Sequence, residues 1–101
     1  MGAMQSDKGS VPANPRRLSR LTHSDVESTG ESVVYDPETD KATVLNPVAA
    51  AIWLLCDGTR DCAAIRDEVA AHAGDGVDRG QIAKDVARAL AEFLREGLIE
   101  P

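Results

Sequence analysis

Aromatic residues are scarce in this 101-residue chain, where one Trp, one Tyr and one Phe make up 3% of the sequence. This scarcity favours a helix-rich domain over a sandwich, with a small core filled by Leu, Ile, Val and Ala. No apolar run approaches the roughly 18 to 20 residues that span a bilayer, and no segment resembles a secretory signal. We therefore expect a cytoplasmic protein that does not associate with membranes.

Cysteine is also rare, and the pair Cys56 and Cys62 has neither CxxC spacing nor further Cys or His at ligand spacing. We expect two reduced thiols and no metal site. The sequence contains no Gly-rich phosphate loop, no GxSxG and no HExxH. His23 and His72 have no recognisable nucleophile beside them, so we interpret both as solvated surface groups. The chain is predicted to be no enzyme, to have no catalytic residues and to need no cofactor.

Basic residues are too few to suggest a nucleic-acid partner. The formal net charge is −6, and from residue 29 onward seven basic side chains stand against fourteen acidic ones. Binding to phosphates depends on Lys and Arg that neutralise the backbone and release counterions. We therefore predict no nucleic acid among the main partners.

The first seventeen residues contain Gly, Ser, Pro and Asn without apolar periodicity, which predicts a disordered tail over 1–17. Met1-Gly2-Ala3 ahead of a second methionine is typical of a cloning scar. One folded domain is predicted over 18–101. Residues 18–28 contain enough apolar and β-branched side chains for a first strand.

A hairpin followed by a capped helix is the clearest local pattern. Residues 32–35 and 41–45 predict two strands around the turn 36–40. Asn46 can cap the next helix, Pro47 suits its first position, and Gly58 can end it in the left-handed conformation.

Two further helices follow, and their ends are marked by polar caps and glycines. Asp61 is predicted to cap the second helix, and residues 74–76 to end it. Asp78, followed by Gln81 three residues later, predicts a capping-box-like start for the third helix, which Gly97 ends. The fold class is therefore α+β: a winged-helix-like domain with a three-stranded antiparallel sheet followed by three helices.

The third helix has a second face besides its apolar stripe of Ile82, Val86, Leu90 and Phe93. Cations lie near one helical line beside small or apolar residues outside that stripe, and this arrangement predicts a groove with a charged rim. The cations are Lys84, Arg88 and Arg95, and the other residues are Ala83, Ala87, Ala91 and Leu94. The alternative interpretation is a solvated face whose charges are balanced by Asp85 and Glu92.

These motifs, in this order, resemble the PqqD family of pyrroloquinoline quinone biosynthesis proteins over about residues 20–100. The resemblance rests on five segments taken together: Tyr35-Asp36-Pro37-Glu38-Thr39, Val44-Leu45-Asn46-Pro47, Ala51-Ile52-Trp53, Cys56-Asp57-Gly58-Thr59, and Phe93-Leu94-Arg95-Glu96-Gly97-Leu98-Ile99. Proteins of this kind look like the recognition elements that hold leader peptides of ribosomally made, post-translationally modified peptides (RiPPs).

The resemblance implies that a leader peptide joins the sheet as an antiparallel strand beside the third strand, with side chains entering a cleft against the third helix. In this sequence the implied edge is Lys41, Ala42, Thr43, Val44 and Leu45. The implied opposing wall is Ala83, Lys84, Ala87, Arg88, Ala91, Leu94 and Arg95. An acidic and apolar leader would suit that wall.

The resulting hypothesis is a non-catalytic peptide chaperone. It would bind a ribosomal precursor peptide by its leader and present it to a modifying enzyme, such as a radical S-adenosylmethionine (SAM) protein or a leader peptidase. The product could be pyrroloquinoline quinone, a lasso peptide or another RiPP. A winged-helix DNA-binding regulator is the alternative function, and an adaptor or a homodimer formed through the exposed edge is the third hypothesis.

Overall fold

The predicted hairpin forms two strands of a three-stranded antiparallel sheet in the computed structural model, which describes residues 11–74, 76 and 78–101. Three helices follow the sheet. The elements are β1 (Thr22–Val26), β2 (Glu31–Asp36), β3 (Lys41–Leu45), α1 (Pro47–Leu55), α2 (Cys62–Ala73) and α3 (Arg79–Glu96). The strand order is β1-β2-β3, so β2 is central and β3 lies at one edge. The predicted fold class is confirmed.

The helix starts follow the polar caps that the sequence predicts. Asn46 Oδ1 accepts a hydrogen bond from the backbone N–H of Ala49 at 2.8 Å, and Asp61 Oδ1 accepts one from Ala64 at 2.8 Å. Asp78 accepts from the amides of the first turn of α3. Each side chain satisfies a donor that the helix itself leaves unpaired.

Two details of the predicted helix ends are wrong. Gln81 does not complete a capping box, because its amide donates to Asp85 at 2.9 Å instead of reaching back to the cap. Gly58 has a φ of 85° but does not end α1, which stops at Leu55. Its backbone N–H instead donates to the Pro15 carbonyl at 2.9 Å. A side chain at Gly58 would collide with the Arg16 guanidinium, so the glycine accommodates a neighbouring segment.

The core lies between one face of the sheet and the three helices. Val34 on β2 and Leu45 on β3 contribute from the sheet, and the helices contribute the remaining large side chains. Fully buried members include Ile52, Ile65, Val86, Leu90, Phe93 and Ile99. Alternate residues of β2 are buried, as expected for a sheet with one covered face. None of the helices in the described part of the chain is long and apolar enough to cross a membrane.

The segment 11–21, which we call the N-terminal arm, packs against the domain in the structure. Pro15 is fully buried, and Arg16 and Arg17 form single antiparallel bridges with Asp57 and Ile99. Residues 11–17 therefore differ from the predicted tail, because their backbone pairs with the ends of α1 and α3. The rest of that tail, with the proposed cloning scar, lies outside the described residues. The first strand, Thr22–Val26, lies within the segment 18–28 in which a short strand is predicted.

Trp53 joins four segments of the fold. Its indole Nε1 donates to the Leu98 carbonyl at 3.0 Å in the interior. The His23 ring on β1 meets it edge to face at 5.4 Å, and the Arg17 guanidinium lies 5.4 Å from its ring centre. Arg17 also donates to the Leu54 carbonyl at 2.5 Å, at the end of α1. One side chain thus holds together β1, the N-terminal arm, α1 and the C-terminal segment.

Arg20 and Asp36 form a second tie between the N-terminal arm and the sheet. The guanidinium Nε and Nη2 donate to the two carboxylate oxygens of Asp36 at 2.9 Å each. The Glu38 backbone N–H donates to the same carboxylate at 2.9 Å. These hydrogen bonds, with Arg20 contributing most, hold the pKa of Asp36 well below its ordinary value.

We expect Trp53→Phe to lower the free energy of unfolding by roughly 1–3 kcal/mol, because the buried Leu98 carbonyl loses its donor. His23→Ala is the control, since it removes only the ring contact and should cost about 1 kcal/mol or less. Denaturant unfolding followed by circular dichroism measures both. Equal losses in the two variants would contradict the importance of the indole hydrogen bond.

The Asp36 carboxylate should make stability pH-dependent in acid. Because its folded-state pKa lies below its ordinary value of 3.8, the stabilisation is complete at neutral pH and is lost as pH falls below about 4 towards the folded pKa. We expect denaturant midpoints to fall over this range in the wild type and to fall less in Asp36→Asn. Parallel pH profiles for the two proteins would contradict the assignment.

Candidate functional site

The free edge of β3 is the first component of the candidate site. β3 pairs with β2 on one side, and within the described ranges no strand pairs with its other side. The N-terminal arm does not cover this edge, because its bridges are made to Asp57 and Ile99. The unpaired backbone groups of an edge strand can hydrogen-bond to an added chain. The five residues predicted from the sequence, Lys41 to Leu45, form this edge.

The two faces of β3 differ in their surroundings. Leu45 is 6% exposed and faces the core, and Thr43 on the same face is half-buried. Ala42 and Val44 therefore lie on the outer face, where Val44 is 60% exposed. A chain paired with β3 would have alternate side chains directed towards the helices and towards the outer face.

An ion pair between Lys41 and Glu96 joins β3 to α3. Lys41 Nζ donates to Glu96 Oε1 at 2.6 Å and to the Glu96 backbone carbonyl at 3.1 Å. The hydrogen bond from Lys41, together with its charge, lowers the pKa of Glu96. A cavity of about 180 Å³ opens at this point, with Thr43 and Leu98 among its lining residues. The pair therefore joins β3 to the last residue of α3 beside this cavity, where a groove between β3 and α3 would end.

Glu96, the last residue of α3, marks the side of the helix that contacts Lys41. Successive residues of an α-helix are about 100° apart, so Asp85, Ala89 and Glu92 lie within about 40° of Glu96 around the axis. We call these four residues the Glu96 face. Ala89 packs against the core, and Asp85 is half-buried.

The predicted wall lies elsewhere on the same helix. Its cations, Lys84, Arg88 and Arg95, are exposed and lie about 80–120° from Glu96 around the axis. Its four remaining members are about 140–180° away. Among these, Ala83 lines a cavity between α2 and α3, and Leu94 packs against the core. The structure does not bring this set together with Glu96, and its contact with a peptide stays a prediction.

Sequence reasoning did not single out the Glu96 face, because the apolar stripe alone does not distinguish the two flanks of α3. Both flanks contain an alanine and charged residues at helical spacing. A contact with β3 is needed to choose between them, and Lys41 provides it. No local pattern encodes a pairing between residues 55 positions apart.

The thiols and histidines give no sign of a catalytic centre. Burial raises the pKa of Cys56 to about 12, so its thiolate is essentially absent at neutral pH. His72 Nδ1 lies 2.9 Å from the Glu68 carbonyl on its own helix. In the part of the chain that the structure describes, no cluster of three or more His, Cys, Asp or Glu could hold a metal ion.

Comparison with known proteins agrees with this architecture. A family model described as "Coenzyme PQQ synthesis protein D (PqqD)" matches residues 31–99. No curated protein matches the chain in sequence.

Two solved structures share the fold. One, described as "TbiB1 in Complex with the TbiA(beta) Leader Peptide", has a TM-score of 0.70 and 21% identity over 84% of this chain and 94% of that chain. The other, "Lasso peptide synthetase B1 complexed with the leader peptide", has a TM-score of 0.71 and 18% identity over 88% of this chain and all of that chain.

The burial of Cys56 leads to a prediction about thiol reactivity. We expect iodoacetamide at pH 8 to modify half-exposed Cys62 in the native protein well before Cys56, because alkylation requires an accessible thiolate. Mass spectrometry of tryptic peptides measures the two rates, and denaturant should bring them together. Faster labelling of Cys56 in the native state would contradict its burial.

Proposed function

The chain belongs to the PqqD family, and we propose that it binds the leader segment of a ribosomally made precursor peptide along the free edge of β3. The observation that carries this proposal is that edge, which is unpaired along Lys41–Leu45 in the described structure although the N-terminal arm is packed nearby. Backbone hydrogen bonds would supply affinity, and alternate side chains would supply selectivity. The two solved structures of similar fold, both of which contain leader peptides according to their descriptions, support this choice of ligand.

We further propose that the peptide's inward side chains lie between β3 and the Glu96 face of α3. The Lys41–Glu96 pair supports this placement, because it brings α3 to the inward face of β3 at one end of the groove. Ala89 would form the floor beside the peptide, since it is the small residue of that face. The carboxylates of Glu96 and Glu92 already pair with Lys41 and Arg95, so an excess of acidic residues in the leader is not required.

The role we propose is non-catalytic presentation. Binding the leader would hold the rest of the precursor near the active site of a separate modifying enzyme and raise its local concentration there. A radical SAM protein or a leader peptidase is the expected kind of enzyme. The match to the PqqD family model and the fold shared with two proteins described in complex with leader peptides support this role.

The winged-helix DNA-binding alternative is not favoured. Two of the cations on α3 are already paired, Arg79 with Asp67 and Arg95 with Glu92. The chain as a whole has a net charge of −6. A helix that enters the major groove needs unpaired cations for the phosphates around it.

The test of peptide binding uses synthetic leader peptides of ribosomal precursors encoded in the same genome and a matched pair of variants. We expect ¹⁵N NMR titration to shift the β3 amides, and Ala89→Met to weaken binding about tenfold by filling the groove. Ala87→Met is the control, because Ala87 is exposed about half a turn from Glu96. Circular dichroism confirms that both variants fold.

Different outcomes identify different errors. Unshifted β3 amides with saturable peptide binding would refute strand addition at this edge. Weakening by Ala87→Met or Arg88→Glu, with Ala89→Met unaffected, would assign the peptide to the cationic flank of α3 instead. A mass that doubles with concentration in light scattering, with no peptide binding, would identify a second copy as the occupant of the edge.

A further inference from the structure

The outer face of the sheet is continuously apolar beside the free edge of β3, whereas β1 contributes only Val26, at its end, to the apolar part of this face. Val33 lies directly opposite Val44, and Tyr35 lies opposite Ala42, in the β2–β3 pairing. All four belong to the face turned away from the helices, because the intervening Val34 is fully buried. We call Val33, Tyr35, Ala42 and Val44 the outer strip. Val44 is 60% exposed and Tyr35 is 38% exposed.

The outer strip does not continue across the sheet. On β1, the residues paired with Tyr35 and Val33 are Thr22 and Ser24, both polar and exposed. A sheet face that simply meets water would have polar residues on β3 as well as on β1. The apolar side chains are instead concentrated on the two strands next to the unpaired edge.

Tyr35 has a fixed position in this strip. Its hydroxyl donates to Asp40 Oδ1 at 2.5 Å, in the β2–β3 turn, where Asp40 has a φ of 61°. The hydrogen bond anchors the polar end of the ring in the turn while the rest of the ring stays beside Ala42. The strip is therefore a defined surface, with Tyr35 at one end and the Val33–Val44 pair further along.

A strand added to β3 would extend this face by one strand. Its outward side chains would lie directly opposite or diagonal to Ala42 and Val44, within the range in which cross-strand pairs interact. β-Branched and aromatic side chains make the most favourable pairs with Val at such positions. The occupant that follows from this geometry is the bound peptide itself, through the side chains that do not enter the groove.

We infer that the peptide is recognised on both faces of its strand: inward side chains by the groove beside α3, and outward β-branched or aromatic side chains by the outer strip. This inference rests on the proposed strand addition to β3. It narrows the class of ligand to a peptide segment with apolar residues at adjacent positions, one directed towards each face of the added strand. A ligand recognised on one face alone would have strictly alternating apolar and polar positions.

The test selects peptides from a displayed library of random 12-residue sequences on the full-length protein. We expect the enriched sequences to contain apolar residues at neighbouring positions, with Ile, Val, Phe or Tyr at the positions whose side chains are directed towards the outer face. Val44→Thr, which keeps the β-branched shape but adds a hydroxyl, should weaken the enriched peptides about two- to fivefold, as expected for loss of a cross-strand pair. Val48→Thr is the control, because Val48 is 54% exposed on α1, outside the strip.

Three outcomes would contradict the inference, and they differ in what they mean for strand addition. Enriched peptides that shift the β3 amides in NMR spectra, but have apolar residues only at every second position and bind Val44→Thr as tightly as wild type, would overturn two-faced recognition and leave strand addition intact. Enriched peptides that leave the β3 amides unshifted would overturn strand addition and this inference together. Equal weakening by Val44→Thr and Val48→Thr would also overturn the specific role of the outer strip.

Discussion

The indole of Trp53 is the contact on which the arrangement of the domain depends. It hydrogen-bonds to the Leu98 carbonyl, lies beside the Arg17 guanidinium and receives the edge of the His23 ring. The N-terminal arm is consequently held against the ends of α1 and α3, where its backbone pairs with Cys56 and Glu100. An arm attached there cannot also pair with β3. The packing of the arm thus leaves the β3 edge open in the described structure.

An open edge is a hazard as well as a binding site, because it can pair with another copy of the chain. Two features of β3 limit that risk. The strand is only five residues long, and it begins with a partly exposed lysine, which pairs with Glu96. Short edge strands and edge lysines both discourage uncontrolled pairing. A peptide that also fills the groove would gain contacts that a second copy of the edge does not offer.

Local sequence signals predicted most of the fold, since caps and turns depend on neighbouring residues. Asn46, Asp61, Asp78 and Gly97 each mark a helix end where expected. The errors concern tertiary contacts. The role of Gly58 depends on the approach of Pro15, 43 positions earlier in the chain. The packing of 11–17 depends on backbone hydrogen bonds with Cys56, Gly58 and Glu100, which follow α1 and α3 in the chain. Neither has a periodic pattern that a sequence could reveal.

The candidate site also has one part that local sequence patterns predict and one part that depends on a tertiary contact. The β3 edge follows from a hairpin pattern and strand order, and could be predicted residue by residue. The opposing surface depends on how α3 is rotated about its axis. The buried stripe of Val86, Leu90 and Phe93 indicates which side of α3 faces the core, but it does not indicate which side faces β3. The pairing of Lys41 with Glu96 is the long-range contact on which we base the proposed placement beside the Glu96 face, whose carboxylates Glu96 and Glu92 are partly neutralised by Lys41 and Arg95. Selectivity in such a groove would come more from shape and apolar contact than from net charge, because paired surface charges attract a ligand only weakly.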